Sequence, residues 1–143
     1  PYMGLDSIKP FANYKNKGVF VLCLTSNIGS EDLQYKKISN DKTVYSHIAL
    51  LANRLNANNN IGLVVGATQN ERMKALKENS GSLPWLIPGV GFQGGNLEDS
   101  IRIGSLNEST PIINVSRGIL NAGNINKINQ AVINYSNEIR KFI

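Results

Sequence analysis

Four short segments of the chain are predominantly apolar, and each leads into a loop rich in small residues. Such short and almost unbroken apolar runs indicate β-strands buried on both faces, as in a parallel sheet. The predicted strands span residues 18–24, 61–66, 83–87 and 112–116. Parallel neighbours need long crossover connections, which helices commonly supply.

Amphipathic segments follow each of these strands. Apolar side chains recur at helical spacing in each segment, which is typical of a helix with one face on a core. Asn70 is predicted to cap the second helix, whose first turn carries the acidic Glu71. The predicted helices span residues 43–56, 71–78, 96–103 and 124–142. Strict alternation of strand and helix predicts βα units around a parallel sheet, so the fold class is α/β.

Four βα units are compatible with two architectures. They form half of an eight-unit barrel, or a small open doubly wound sheet. A complete (β/α)8 barrel needs about 250 residues, whereas this chain has 143. The chain opens at Pro1 in the middle of a turn-like motif. We therefore expect that a strand preceding Pro1 has been lost, cleaved or assigned to another chain.

The loops after the third and fourth strands carry the strongest candidate chemistry. The first is glycine-rich and contains Gln93, and the second contains Arg117 followed by Gly118. Glycines allow backbone N–H groups to approach a ligand, and a guanidinium suits a pair of anionic oxygens. Two such consecutive loops are how (β/α)8 barrels commonly bind phosphate, so a bound phosphoester is the leading hypothesis. The alternatives are a surface arginine and a purely structural glutamine turn.

Further candidates lie near these loops. Pro88 and Val90 are expected to line an apolar wall. Ser26, at the end of the first strand, can hydrogen-bond a planar ring, although a turn serine satisfied by its own neighbours explains it equally well. Thr25 and Asn27 are weaker candidates of the same kind.

Composition excludes several classes of function. The formal net charge of +5 suits a small anionic ligand, but the lysines are scattered, which argues against nucleic acid. No apolar run approaches the roughly 18 residues of a membrane span, so we expect no membrane partner and a cytoplasmic location. Cys23 is expected to be a buried structural thiol. His47, the only histidine, is expected on a solvated helix face, which argues against a catalytic triad or a histidine metal site.

Five segments, taken in order, resemble orotidine 5'-phosphate decarboxylase. The similarity is strongest to the branch of that family with Asn-Pro-Tyr-Met-Gly and Thr-Ser-Asn-Pro-Gly-Ser motifs. The matching segments are residues 1–7, 20–30, 62–68, 86–95 and 113–119. The resemblance implies the second half of a (β/α)8 barrel, strands five to eight, with residues 1–143 as one C-terminal half-domain.

The resemblance also implies roles for individual residues. Ser26 resembles the serine that binds the pyrimidine ring, Gln93 the glutamine that links the ring region to the phosphate, and Arg117 the phosphate-binding arginine. The apolar wall and the backbone flanking the phosphate are then supplied by Pro88, Val90, Ser116 and Gly118.

The chain departs from the family pattern in three respects. Ile28 stands where proline is usual, and Phe92 where a small residue is common. Nothing in the chain matches the family's Asp-x-Lys-x-x-Asp catalytic array, so no catalytic residue is assigned here. The implied activity is cofactor-free decarboxylation of orotidine monophosphate to UMP by a homodimer, with the complementary N-terminal half as partner. The alternatives are a non-catalytic phosphate- or nucleotide-binding βα module and another phosphosugar-binding barrel enzyme, such as an epimerase.

Overall fold

The computed structural model describes residues 1–142 and confirms the α/β alternation. The strands are β1 Val19–Leu24, β2 Lys37–Ser39, β3 Lys42–Thr43, β4 Ile61–Val65, β5 Trp85–Pro88 and β6 Pro111–Asn114. The helices are α1 Lys9–Ala12, α2 Val44–Leu55, α3 Asn70–Ser80, α4 Leu97–Gly104, α5 Arg117–Leu120 and α6 Ile125–Arg140. All four predicted strands and all four predicted helices are present, with ends shifted by a few residues.

The main sheet is parallel and runs in the order β1-β4-β5-β6, which is also the order of the chain. A doubly wound sheet reverses its strand order at a switch point, and this sheet has no reversal. Helices α2, α3 and α4 contact one another in succession, and α6 contacts α4. These helices therefore form one layer on one side of the sheet, as in the wall of a barrel.

The core lies between the sheet and this helical layer. Leu63, Trp85 and Ile87 point into it and have no exposed surface. Burying a large apolar side chain contributes about 1.5–3 kcal/mol, so this face supplies most of the drive to fold. Cys23 lies in the same layer, as expected: its Sγ donates to the carbonyl of Tyr45 at 3.2 Å, and burial raises the pKa of the thiol to about 12.

The opposite face of the sheet is open, and the prediction of strands buried on both faces is wrong for β1 and β6. Phe20, Leu22 and Ile112 point away from the helices and are 38%, 48% and 43% exposed. The prediction failed because apolar residues require burial but do not specify what covers them. Within residues 1–142, this face is covered only in part.

Three local features differ from the sequence predictions. Residues 37–43 form a short antiparallel hairpin, which the sequence does not reveal because its β2 strand is exposed throughout. Asn70 is the first residue of α3 rather than its cap, and its amide donates to Asp99 Oδ2 at 2.8 Å. His47 is half-buried on α2 rather than on a solvated face.

None of the helices within residues 1–142 combines the length and the apolarity needed to cross a membrane.

Candidate functional site

The predicted site residues meet at the carboxyl edge of the main sheet. Ser26 follows β1, Gln93 lies in the loop after β5, and Arg117 begins the short helix after β6. Strands of a parallel sheet end at one edge, so loops distant in sequence converge there. A cleft of about 430 Å³ is lined by Ser26, Asn27, Phe92, Gln93 and Arg117.

Backbone hydrogen bonds between its own residues close the loop after β5. Gly91 N donates to Gly95 O at 2.9 Å, and Gly95 N donates to Gly89 O at 3.1 Å. Gly89 and Gly91 have φ values of +95° and +75°, a region that favours glycine. A Cβ on Gly89 would lie 2.9 Å from Gln93 Oε1 and 3.6 Å from Ser26 Oγ. The bare backbone at Gly89 thus leaves room for the Gln93 side chain, with the Ser26 hydroxyl nearby.

Ser26 carries a hydroxyl that the protein leaves unsatisfied. Its Oγ is buried and has no hydrogen-bond partner within residues 1–142. It lies against Gly66, where a Cβ would collide with it. A buried polar group without a partner costs about 1–3 kcal/mol, so a turn serine satisfied by its neighbours does not describe this residue. The residue itself lines the cleft.

Thr25 has a structural role, and Asn27 combines such a role with its place in the lining of the cleft. Thr25 N donates to Gln34 Oε1 at 2.9 Å, and Gln34 Nε2 donates to Thr25 Oγ1 at 2.8 Å. The Thr25 hydroxyl in turn donates to Asn27 Oδ1 at 2.6 Å. These bonds hold the loop that presents Ser26. Sequence reasoning missed Gln34 because its polar surroundings carry no sign of this long-range pairing.

Arg117 presents a guanidinium with no carboxylate partner. The ion pairs found within residues 1–142 join Lys74 to Glu71, Arg102 to Asp99 and Lys141 to Glu138. The Cζ atom of Arg117 instead lies 4.4 Å from the centroid of the Phe92 ring. Stacking on an aromatic face orients a guanidinium without using its N–H donors. Phe92, which stands where a small residue was expected, thus has a specific contact with Arg117.

A smaller space, the loop pocket of about 80 Å³, adjoins the cleft. Its walls include all the remaining predicted residues: Pro88, Val90, Ser116 and Gly118. Val90 is only 4% exposed and belongs to the hydrophobic core, so little of its side chain faces the pocket. Asn114 also lines the pocket and was not predicted. Its signal was present in the sequence, as a polar residue interrupting an apolar strand.

The cleft and the loop pocket lack the usual proton-transfer side chains among residues 1–142. Within the described part of the chain, no carboxylate, imidazole or amine lines the cleft or the loop pocket, and Arg117 is their one charged side chain. No group of three or more His, Cys, Asp or Glu side chains in residues 1–142 is placed to hold a metal ion. The chemistry available is hydrogen bonding from Ser26 and Gln93 and a cation for an anionic group.

The fold and site together define a class of protein. A wall of βα units with an open polar cleft at its carboxyl edge is the active-site face of (β/α)8-barrel enzymes. The chain matches the family model of the orotidine 5'-phosphate decarboxylase / HUMPS family over residues 1–131. It belongs to that family.

Individual relatives agree with this assignment. The orotidine 5'-phosphate decarboxylase of Dehalococcoides mccartyi strain CBDB1 is 44% identical over 147 residues, covering 100% of this chain and 54% of the relative. The Leishmania donovani OMP decarboxylase structure superposes with a TM-score of 0.88 at 38% identity, covering 99% of this chain and 54% of that one. The Leishmania donovani UMP synthase structure gives a TM-score of 0.89 at 41% identity, covering 99% and 31%. The chain thus spans about half the length of the curated relatives it matches.

Proposed function

We propose that this chain supplies the phosphate- and pyrimidine-binding half of an orotidine 5'-phosphate decarboxylase site. The observation that carries this proposal is the buried, unpartnered Ser26 hydroxyl in one cleft with Gln93 and Arg117. Ser26 donates to or accepts from the pyrimidine ring, Gln93 bridges the ring and the phosphate, and Arg117 binds the phosphate oxygens. Pro88 and Val90 provide the apolar wall, and the backbone of Ser116 and Gly118 flanks the phosphate.

The reaction converts orotidine monophosphate to UMP and CO2. The bond between C6 and the carboxyl carbon breaks, and a proton takes up the electron pair left on C6. A carboxylate array disfavours the substrate carboxylate, and a lysine stabilises the charge and donates the proton. Binding energy at the phosphate contributes when it is realised in the transition state. This chain supplies the binding contacts, and the complementary half of the barrel supplies the proton.

The open face of the sheet supports the proposal that a complementary half of the barrel packs against this chain. Phe20, Leu22 and Ile112 leave a row of apolar side chains exposed there, and β1 and β6 are unpaired edges of the described sheet. Exposed edges and apolar faces invite association. In this proposal residues 1–143 are strands five to eight of the barrel, and the assembled protein is this chain together with strands one to four, in cis or in trans. It acts without a cofactor, as a cytoplasmic homodimer.

Calorimetric titration with UMP and turnover of orotidine monophosphate test the proposal. We expect the assembled protein to bind UMP and to release CO2, and the pure 1–143 chain to bind weakly and to turn over nothing. Tight UMP binding by the chain alone, without turnover on assembly, would favour the phosphate-binding module. Binding of ribulose phosphate but not of UMP would favour a phosphosugar enzyme. Turnover by a verified 1–143 chain would show that the proton donor lies in this half.

A further inference from the structure

Tyr135 of α6 reaches the site from outside the sheet. Its hydroxyl oxygen would lie 2.7 Å from a Cβ placed on Gly91 and 2.6 Å from a Cβ placed on Gly118. These two glycines belong to the two loops that hold Gln93 and Arg117. No residue of α6 in the described structure is fully buried, and Tyr135 itself is half-buried. The tyrosine hydroxyl therefore sits where the two loops meet.

The tyrosine also accounts for the glycine at position 118. Gly91 has a φ of +75°, so its backbone alone favours glycine. The φ of Gly118 lies outside the left-handed region, so an L-residue would fit its backbone. The main obstacle to a side chain there is Tyr135, since the next atom, Val115 Cγ1, lies at 3.2 Å, a tight contact that a shift of a few tenths of an ångström would relieve. The space beside Gly118 is occupied by a phenol oxygen from another element.

We infer that Tyr135 is a positioning residue of the phosphate site, setting the separation of the two loops through its hydroxyl. This inference rests on the proposed function. The hydroxyl oxygen occupies the space beside both glycines, so it acts by filling space between the two backbones. The two loops follow β5 and β6. Apart from Tyr135, side chains of both loops line the loop pocket between them. A fixed separation keeps their N–H groups aimed at one phosphate.

We expect the contribution of Tyr135 to ligand affinity to be confined to ligands that carry a phosphate. In the assembled protein, Tyr135→Phe keeps the ring and removes the spacing atom, so UMP affinity should fall by about threefold to tenfold, a cost of the size found for coupled neighbours. The affinity for uridine, which lacks the phosphate, should not change, and neither should the melting temperature. Tyr14→Phe, at an exposed tyrosine 62% accessible, is the matched control.

A double-mutant cycle tests the spacing directly. Gly118→Ala alone should weaken UMP binding by at least about tenfold, because its Cβ meets the Tyr135 hydroxyl. In the Tyr135→Phe background the same change should cost less than about threefold, because the obstructing atom is gone. The measurements are calorimetric dissociation constants for UMP and uridine.

The outcomes separate the two proposals. If the parent protein fails to bind UMP, the proposed function itself fails. If the parent binds UMP but Tyr135→Phe binds it equally well, the role of Tyr135 is refuted while the function stands. Equal losses of UMP and uridine binding, or additive effects in the cycle, would likewise refute a specific spacing role.

Discussion

Two cations of this chain lie over aromatic rings in opposite surroundings. At the site, Arg117 Cζ lies 4.4 Å from the centroid of Phe92, and both side chains are exposed. Between α3 and β5, Lys77 Nζ lies 4.2 Å from the centroid of Trp85, and both residues are buried. The contact is similar in both places, whereas the access of water differs.

That difference decides what each cation contributes. The Lys77 amine is buried without a hydrogen-bond partner in residues 1–142, and burial lowers its pKa to about 8 from the ordinary 10.5. Its charge is therefore a cost that stacking on Trp85 offsets only in part. The exposed Arg117 guanidinium is open to solvent, so it does not carry the same desolvation cost. An aromatic stack thus orients a cation where solvent reaches it and limits a stability cost where solvent does not.

Removing Arg117 should have the largest effect. In the assembled protein, Arg117→Ala should weaken UMP binding by about 1.5–3 kcal/mol or more, the value of a charge-assisted hydrogen bond. Arg117→Lys should recover part of this loss, because it keeps the charge but not the planar fork. Titration calorimetry measures both, with Arg54→Ala, an exposed arginine on α2, as control. Unchanged steady-state kinetics on orotidine monophosphate for Arg117→Ala would remove this residue from the site.

Lys77→Met should stabilise the protein by about 1–2 kcal/mol at pH 7, because an apolar side chain replaces a desolvated charge. The folded-state pKa of about 8 lies below the ordinary value of 10.5, so the unfolded chain binds more protons between these values. The parent's stability therefore rises from pH 8 to about 10.5, and the advantage of the variant shrinks over that window. Urea unfolding at several pH values measures this, with Lys74→Met on the exposed side of α3 as control. If the stability gained by Lys77→Met did not change with pH, the idea that the Lys77 ammonium is desolvated in the folded protein would be contradicted.

Ser26→Ala should separate binding from stability. The variant loses the ring contact, so both UMP and uridine should bind about 0.5–1.5 kcal/mol more weakly, the net value of one hydrogen bond. The ligand-free protein should lose no stability, because the hydroxyl removed has no partner within residues 1–142. Calorimetry and thermal unfolding are the two measurements, and Ser82→Ala, at an exposed turn, is the control. A clear drop in melting temperature would indicate that the hydroxyl is satisfied after all.

Phe92→Ala should have the smallest effect. An exposed cation–π contact contributes about 0.5–1 kcal/mol, so UMP affinity should fall by only a few-fold. Phe92→Leu should behave like the alanine variant if the π face matters, and like the parent if apolar contact suffices. Phe11→Ala, at a phenylalanine 63% exposed, is the control for these titrations. A loss as large as that of Arg117→Ala would mean that Phe92 contacts the ligand itself.

Local patterns were sufficient for much of the fold. The strands were predictable because short apolar runs bounded by small residues form few structures other than buried strands. The loops that carry Gln93 and Arg117 were predictable from the glycines within them. The β2–β3 hairpin was missed because its residues are exposed, and Asn70 was misassigned because its amide donates to Asp99 on another helix. Local composition does not encode such distant partners.

The amino-acid sequence by itself determined the alternation of strand and helix, the two loops that carry Gln93 and Arg117, and the family. Each depends on residues close together in the chain, whose periodicity and backbone preferences act locally. Only the tertiary structure decided that one face of the sheet is open, that the Ser26 hydroxyl lacks a partner, and that Tyr135 reaches Gly91 and Gly118. These features depend on how the helices pack against the sheet, because burial and close approach are properties of elements in contact and not of any one segment.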